Sequence, residues 1–145
     1  MLTDQQLKDL FSSTRTVAVV GLSPRADRPS HGVAQALQAH GLRIVPINPA
    51  AAAGGQAILG EKAWPDLGSA AAYLREQGIA IDIVDVFRPS ADVPPIADDA
   101  VLIGARALWM QLGVVNEQAA ERARAAGLVV EMNRCLKVEW GRVMR

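Results

Sequence analysis

The chain has 145 residues, half of them hydrophobic and 21% charged, a balance that excludes a disordered segment, while 4% aromatic content argues against an all-β sandwich. Fifteen Lys and Arg offset fifteen Asp and Glu, so no global field exists to gather nucleic acid or an anionic membrane surface. The length fits one domain over residues 1–145 with a single aliphatic core. Cys135 is the lone cysteine, which rules out an internal disulfide and a Cys-rich zinc site and suits a reducing compartment. The opening MLTDQQLKDLF lacks the basic-then-apolar pattern of a signal peptide, and no run reaches the roughly 18 apolar residues of a membrane span. A soluble, cytoplasmic protein is expected.

Thr3 and Gln6 are spaced as a capping box, and Leu7, Leu10 and Phe11 share one face, which predicts a leading helix within residues 1–14. Residues 16–21 (TVAVVG) form a compact β-branched run, expected as a strand buried on both sides. Ser30 caps a helix that runs to about His40, where Gly41 stops it. Residues 42–47 form a second strand whose Pro46 marks its end, and residues 50–56 (AAAAGGQ) read as a surface loop. A short extended segment at 58–60, a helix over 69–77 and a third strand over 81–87 follow. Pro94-Pro95 opens a helix through Ile103, residues 105–110 form a fourth strand, 116–126 a helix and 128–132 a fifth strand. The basic tail, 134–145, carries Arg134, Lys137, Arg142 and Arg145 and forms a last helix. Strand and helix alternating five times predicts an α/β protein with a doubly wound, five-stranded parallel sheet, Rossmann-like, with helices on both faces.

Such sheets bind ligands beyond the carboxyl ends of their strands, which directs attention to loops 21–30, 48–56, 88–93 and 111–116. The first loop, GLSPRADRPS, lies between strand and helix, where amides and the helix dipole receive anions. It has neither G-x-G-x-x-G nor a P-loop ending, but Ser23, Ser30, Arg25 and Arg28 offer donors for a pyrophosphate. On these residues alone, a capped helix with solvated arginines fits equally well. Asn48-Pro49 stands where an NAD enzyme places an acidic residue, and by itself reads as an Asx-Pro turn. Phe87 and Arg88 end the third strand where a base or phosphate can lie, although a rim Phe covering the core is the ordinary explanation. The amides of Gln111 and around Gly113 can face the same crevice, with Trp109 assigned to packing. His31 and His40 lack metal-ligand spacing, Cys135 reads as an inert buried thiol, and Asp82 and Asp85 fall on opposite strand faces, which disfavours a paired acid and base.

Taken in order, VAVVGLS, DRPS, VPINP, ILG, IDIVDVFR, ALWMQLGVVNE and NRCLK resemble the small bacterial and archaeal CoA-binding proteins. These are single Rossmann-like domains similar to the CoA-binding domain of the succinyl-CoA synthetase α subunit, and the resemblance covers residues 16–139. It implies that Gly21, Leu22, Ser23 and the corner Arg28-Pro29-Ser30 hold the CoA phosphates. Asn48-Pro49 would border the adenosine, Phe87-Arg88 would complete the nucleotide pocket, and Gln111 and Gly113 would lie toward the pantetheine arm. One departure concerns the loop after Asn48-Pro49, which often carries a basic residue in this family and here is alanine and glycine, leaving Lys62 or Arg25 as replacements. The synthetase reaction needs a phosphohistidine and a further domain, and neither His31 nor His40 lies in a matching motif. The resemblance therefore implies binding of coenzyme A or an acyl-CoA, with no catalytic residue assigned. The rivals are a small NAD(P)-dependent or acyl-transfer enzyme and a protein-interaction domain that has lost CoA binding. The expected partners are the small-molecule ligand and a second copy of the chain, through the apolar last strand and Trp140, with no nucleic acid or membrane.

Overall fold

Residues Thr16–Val20 are buried at all five positions, as a strand covered on both faces must be. The computed structural model describes residues 1–145 and places that strand inside a layered α/β sheet. In chain order the elements are α1 (Asp4–Ser12), β1 (Thr16–Val20), α2 (Pro29–Ala39), β2 (Arg43–Ile47), α3 (Pro49–Ala53), β3 (Ala57–Ile58), β4 (Glu61–Lys62), α4 (Leu67–Glu76), β5 (Ile83–Val86), α5 (Val93–Leu102), β6 (Ala107–Met110), α6 (Glu117–Ala125), β7 (Val129–Glu131) and α7 (Leu136–Val143). The main sheet is parallel throughout, in the order β2-β1-β5-β6-β7, so the winding reverses between β1 and β5. This is the Rossmann-like α/β architecture that the strand and helix alternation predicts.

Period-2 alternation along β1 divides the core. Val17 and Val19 join Leu7, Phe11, Leu37 and Trp140 beneath α1, α2 and α7, whereas Ala18 and Val20 join Leu74, Ala97 and Ala120 beneath α4, α5 and α6. Phe11 stacks on Trp140 at 4.6 Å and tilts against Trp109 at 5.8 Å. Aromatic pairs of this kind contribute roughly 0.5–1.5 kcal/mol each beyond area burial. Trp140 is only 6% exposed, so it belongs to the core and presents no apolar patch to a second copy. Its burial follows from α7 lying across the same sheet face as α1.

The basic tail is likewise drawn inward. The Arg134 guanidinium bonds the carboxylate of Glu131 at 2.7 Å and also that of Glu139, while Arg142 bridges Glu139 at 3.0 Å and Asp4 at 2.8 Å. The Arg142 guanidinium accordingly holds the Asp4 carboxyl below its usual range. Glu131 also accepts from the Leu2 amide at 3.0 Å, so this network ties α1 to α7 and to β7.

Several expectations are corrected. Residues 50–53 are helical and only 54–56 form a turn, because Asn48 caps α3 by accepting from the Ala51 amide at 3.0 Å and Pro49 occupies its first turn. Pro46 lies within β2 and does not end it; β2 is an outer strand of the parallel sheet, where a missing N–H is tolerated. The segment at 58–60 becomes a hairpin, β3 with β4. Ser30 sits inside α2, whose N-cap is Arg28 without a side-chain cap bond, and Asp66 caps α4 two residues ahead of the expected start.

Candidate functional site

Because the winding reverses between β1 and β5, the loops after these strands diverge and leave a crevice at their carboxyl ends. The Gly21 amide donates to Ile47 O at 2.9 Å and the Phe87 amide to Val20 O at 2.8 Å, which fixes the ends of β2, β1 and β5 at one level. Gly21 has φ +87°, and a Cβ there would stand 2.5 Å from the Phe87 carbonyl oxygen. Only glycine permits the first loop to leave the sheet so close to the third.

The first loop is held from inside. Leu22 is fully buried in the core under α2, and its carbonyl accepts from Asn48 Nδ2 at 3.0 Å. The Ser23 amide donates to Ser30 Oγ at 3.0 Å, and Ser23 Oγ accepts from the Arg25 amide at 3.1 Å. Arg25 pairs with Asp27 at 2.9 Å, whereas Arg28 is exposed and has no carboxylate partner. The amides of Leu22 and Ser30 donate to no protein acceptor. Leu22 is sealed in the core, so it is the start of α2 that presents a free N–H, that of Ser30, beside one uncompensated guanidinium, the chemistry that receives a phosphate.

Two clefts meet here and share Gly21 and Ser23. One, of about 300 Å³, is lined by Arg25, Arg28, Pro29, Ser30 and Phe87 in addition to those two. The other, of about 400 Å³, runs between the ends of β1 and β2 and the helices α4 and α5. Its walls include Ile47, Pro49, Pro65, Leu67 and Ile96, and its polar groups include Asn48, Asp66, Arg88 and Asp99. Apolar walls with a few polar groups suit a base and sugar, and the cationic cleft suits a diphosphate.

The structure thus brings together Gly21, Ser23, Arg28, Pro29, Ser30, Asn48, Pro49, Phe87 and Arg88 around one crevice. Leu22 lines neither cleft, because its side chain anchors the loop in the core under α2. Gln111 and Gly113 line neither cleft: the Gln111 amide donates to Val86 O, its side-chain oxygen accepts from the Leu136 amide at 3.0 Å, and the Gly113 amide donates to Asn133 Oδ1 at 2.8 Å. These polar groups hold the start of α7 against β6. Sequence reasoning missed Pro65, Asp66, Leu67, Ile96 and Asp99, which enter the cleft from α4 and α5; Asp66 before a helical run was readable as a cap, but its position opposite the first loop was not. Lys62 stands 4.3 Å from the centre of the Trp64 ring and lines a different cleft with Arg43 and Tyr73. Cys135 is half-buried ahead of α7 and packs against the α1, α2 and α7 core.

Two residues before Phe87, within β5, Asp85 lies between Val19 and Trp109 with both carboxyl oxygens buried and unpartnered. Burial pushes its carboxyl well above the usual range. Asp82, near the start of that strand, instead accepts from the Arg15 and Thr16 amides at 2.8 and 3.0 Å.

A parallel sheet carrying an amide and guanidinium cradle at its winding reversal defines a Rossmann-like domain. Residues 15–141 match the CoA binding domain family, and the chain belongs to that family. It is 38% identical to the Bacillus subtilis protein YneT over 133 residues, covering 92% of this chain and 90% of that one. Among solved structures it is similar to a Thermus thermophilus protein, at 30% identity and TM-score 0.86, over 98% of this chain and 99% of that one. A Pyrococcus horikoshii protein matches at 28% identity and TM-score 0.86, over 99% and 94% of the respective chains. No helix is long and apolar enough to cross a membrane.

Proposed function

We propose that this protein binds coenzyme A or an acyl-CoA as a single cytoplasmic module, with the diphosphate at Arg28 and the free amide of Ser30. The adenosine occupies the apolar cleft between Asn48-Pro49 and α5, with Phe87 and Arg88 at the seam. The observation that supports this most is the meeting of a cationic and an apolar cleft at Gly21 and Ser23, on the switch point of a chain in the CoA binding domain family. The pantetheine arm then leaves past Phe87, since Gln111 and Gly113 are engaged in holding α7. A free Cys135 agrees with a reducing compartment.

The test is calorimetric titration of the purified protein with CoA and acetyl-CoA, with NAD as comparator. Saturable micromolar binding of a CoA species, tighter than NAD, is the expected result. Absence of heat with every CoA species, or preferential binding of NAD, overturns the reading.

A further inference from the structure

The two clefts differ in electrostatic sign, and the difference bears on the ribose. The apolar cleft holds two carboxylates, Asp66 and Asp99, against one guanidinium, Arg88. That guanidinium is already paired with Asp92 at 2.9 Å. Asp66 spends only Oδ1 on the Ser69 amide, at 2.7 Å, and the Asp99 carboxylate, unlike its carbonyl, takes part in no hydrogen bond or ion pair. The turn after Asn48 brings no cation, because α3 is one proline and four alanines. Lys62 is held over Trp64 in the separate cleft, and Arg25 lines the diphosphate side while paired with Asp27. A sugar hydroxyl in this cleft finds carboxylate acceptors, the pairing that Rossmann sites use for unmodified ribose. A phosphate on that sugar finds like charge.

We propose that, among ligands carrying the pantetheine arm, the site favours those whose ribose is unphosphorylated, with Asp66 and Asp99 as the specificity-determining residues, so that the 3′-phosphate of CoA weakens binding. This inference rests on the reading in which the diphosphate lies at Arg28 and the nucleoside in the apolar cleft. Asp66 and Asp99 accept hydrogen bonds from the ribose hydroxyls and repel a dianion attached there. The pantetheine arm is the same in CoA and dephospho-CoA, so the comparison isolates the phosphate.

The experiment is calorimetry on the full chain with dephospho-CoA and CoA, repeated at high salt and with the Asp66→Asn/Asp99→Asn double variant. Asn keeps the N-cap of α4, and thermal unfolding checks the fold; Asp99→Asn alone serves if the double variant is unstable. Dephospho-CoA is expected to bind about two- to fivefold more tightly, the scale of exposed like-charge effects, and the gap closes with salt and in the variant. CoA binding as tightly as dephospho-CoA, or more tightly, overturns this inference and leaves the diphosphate reading standing. A preference that survives the double variant unchanged also overturns it. Failure of both ligands to bind removes the diphosphate reading and this inference together.

Discussion

The Ser23 amide donates to the hydroxyl of Ser30 at 3.0 Å, closing the first loop onto the first turn of α2. Ser30 therefore shapes the loop, while Arg28 at its corner holds no partner and is free for a ligand. The two residues are expected to separate experimentally. Arg28→Ala weakens CoA-type binding by roughly 1–3 kcal/mol, the range for a hydrogen bond to a charged group, and leaves stability within about 0.5 kcal/mol. Ser30→Ala lowers stability by about 1 kcal/mol and loosens the loop. Calorimetry and urea unfolding on both variants read the contrast; equal stability losses would refute it.

Gly21→Ala is expected to be severe. A side chain at φ +87° costs about 1–2 kcal/mol, and the added Cβ would collide with the backbone oxygen of Phe87. Because that oxygen belongs to main chain between β5 and the third loop, β1 and β5 must shift apart at the crevice. A loss of at least about 2 kcal/mol in urea unfolding, with ligand affinity lost as well, is predicted.

Asp85 makes stability depend on pH in an unusual direction for a carboxyl. Its folded value is raised above the ordinary 3.8, so the folded state retains a proton that the unfolded chain releases. The associated stability is complete below about pH 3.8 and falls as pH rises toward the folded value. Asp85→Asn removes this slope. The stability difference between parent and variant should change with pH by up to about 1.4 kcal/mol per unit over the affected window. Parallel stability curves from about pH 4 to pH 8 would show that Asp85 does not titrate with folding.

Arg134 supports charges that cannot be left alone. Glu131 has a side chain only 4% exposed and Glu139 one 9% exposed, and both accept from this guanidinium. Arg134→Met is expected to cost about 3–5 kcal/mol, the range for stripping one partner from a buried pair. Replacing Arg134, Glu131 and Glu139 together by apolar residues should recover part of that loss. Thermal unfolding of the single and triple variants makes the comparison.

Lys62→Ala should leave affinity for CoA species unchanged, since its ammonium lies over Trp64 and lines another cleft. A measurable drop would place Lys62 on the ligand after all.

Much of the fold was legible because its signals are local. The run TVAVV, the spacing of Leu7, Leu10 and Phe11, and the Asn116 cap each define an element from neighbouring residues alone. The α3 helix was also signalled locally, by Asn48 as a cap and Pro49 as first residue, but four alanines followed by two glycines masked it. In the site, loop positions after β1, β2 and β5 were readable from the alternation of elements. Asp66 and Asp99 were not, since they face the crevice only through the packing of α4 and α5 against the sheet. Gln111 misled for the reverse reason: its place after a strand suggested a ligand, while its oxygen serves the Leu136 amide.

The three tryptophans divide the molecule into optically separate regions. Trp109, whose indole N–H donates to Arg134 O at 2.9 Å, and Trp140, stacked on Phe11, are sealed beneath α1 and α7. Trp64 is half-buried and immediately precedes Pro65 and Asp66 in the wall of the apolar cleft. Emission from the first pair therefore reports docking of the terminal helices, whereas Trp64 reports the separate cleft that it lines with Lys62 and Tyr73. With Trp109 and Trp140 each replaced by Phe, the remaining signal becomes an intrinsic gauge of how the hairpin and α4 lie against the outer edge of the sheet, with no attached dye.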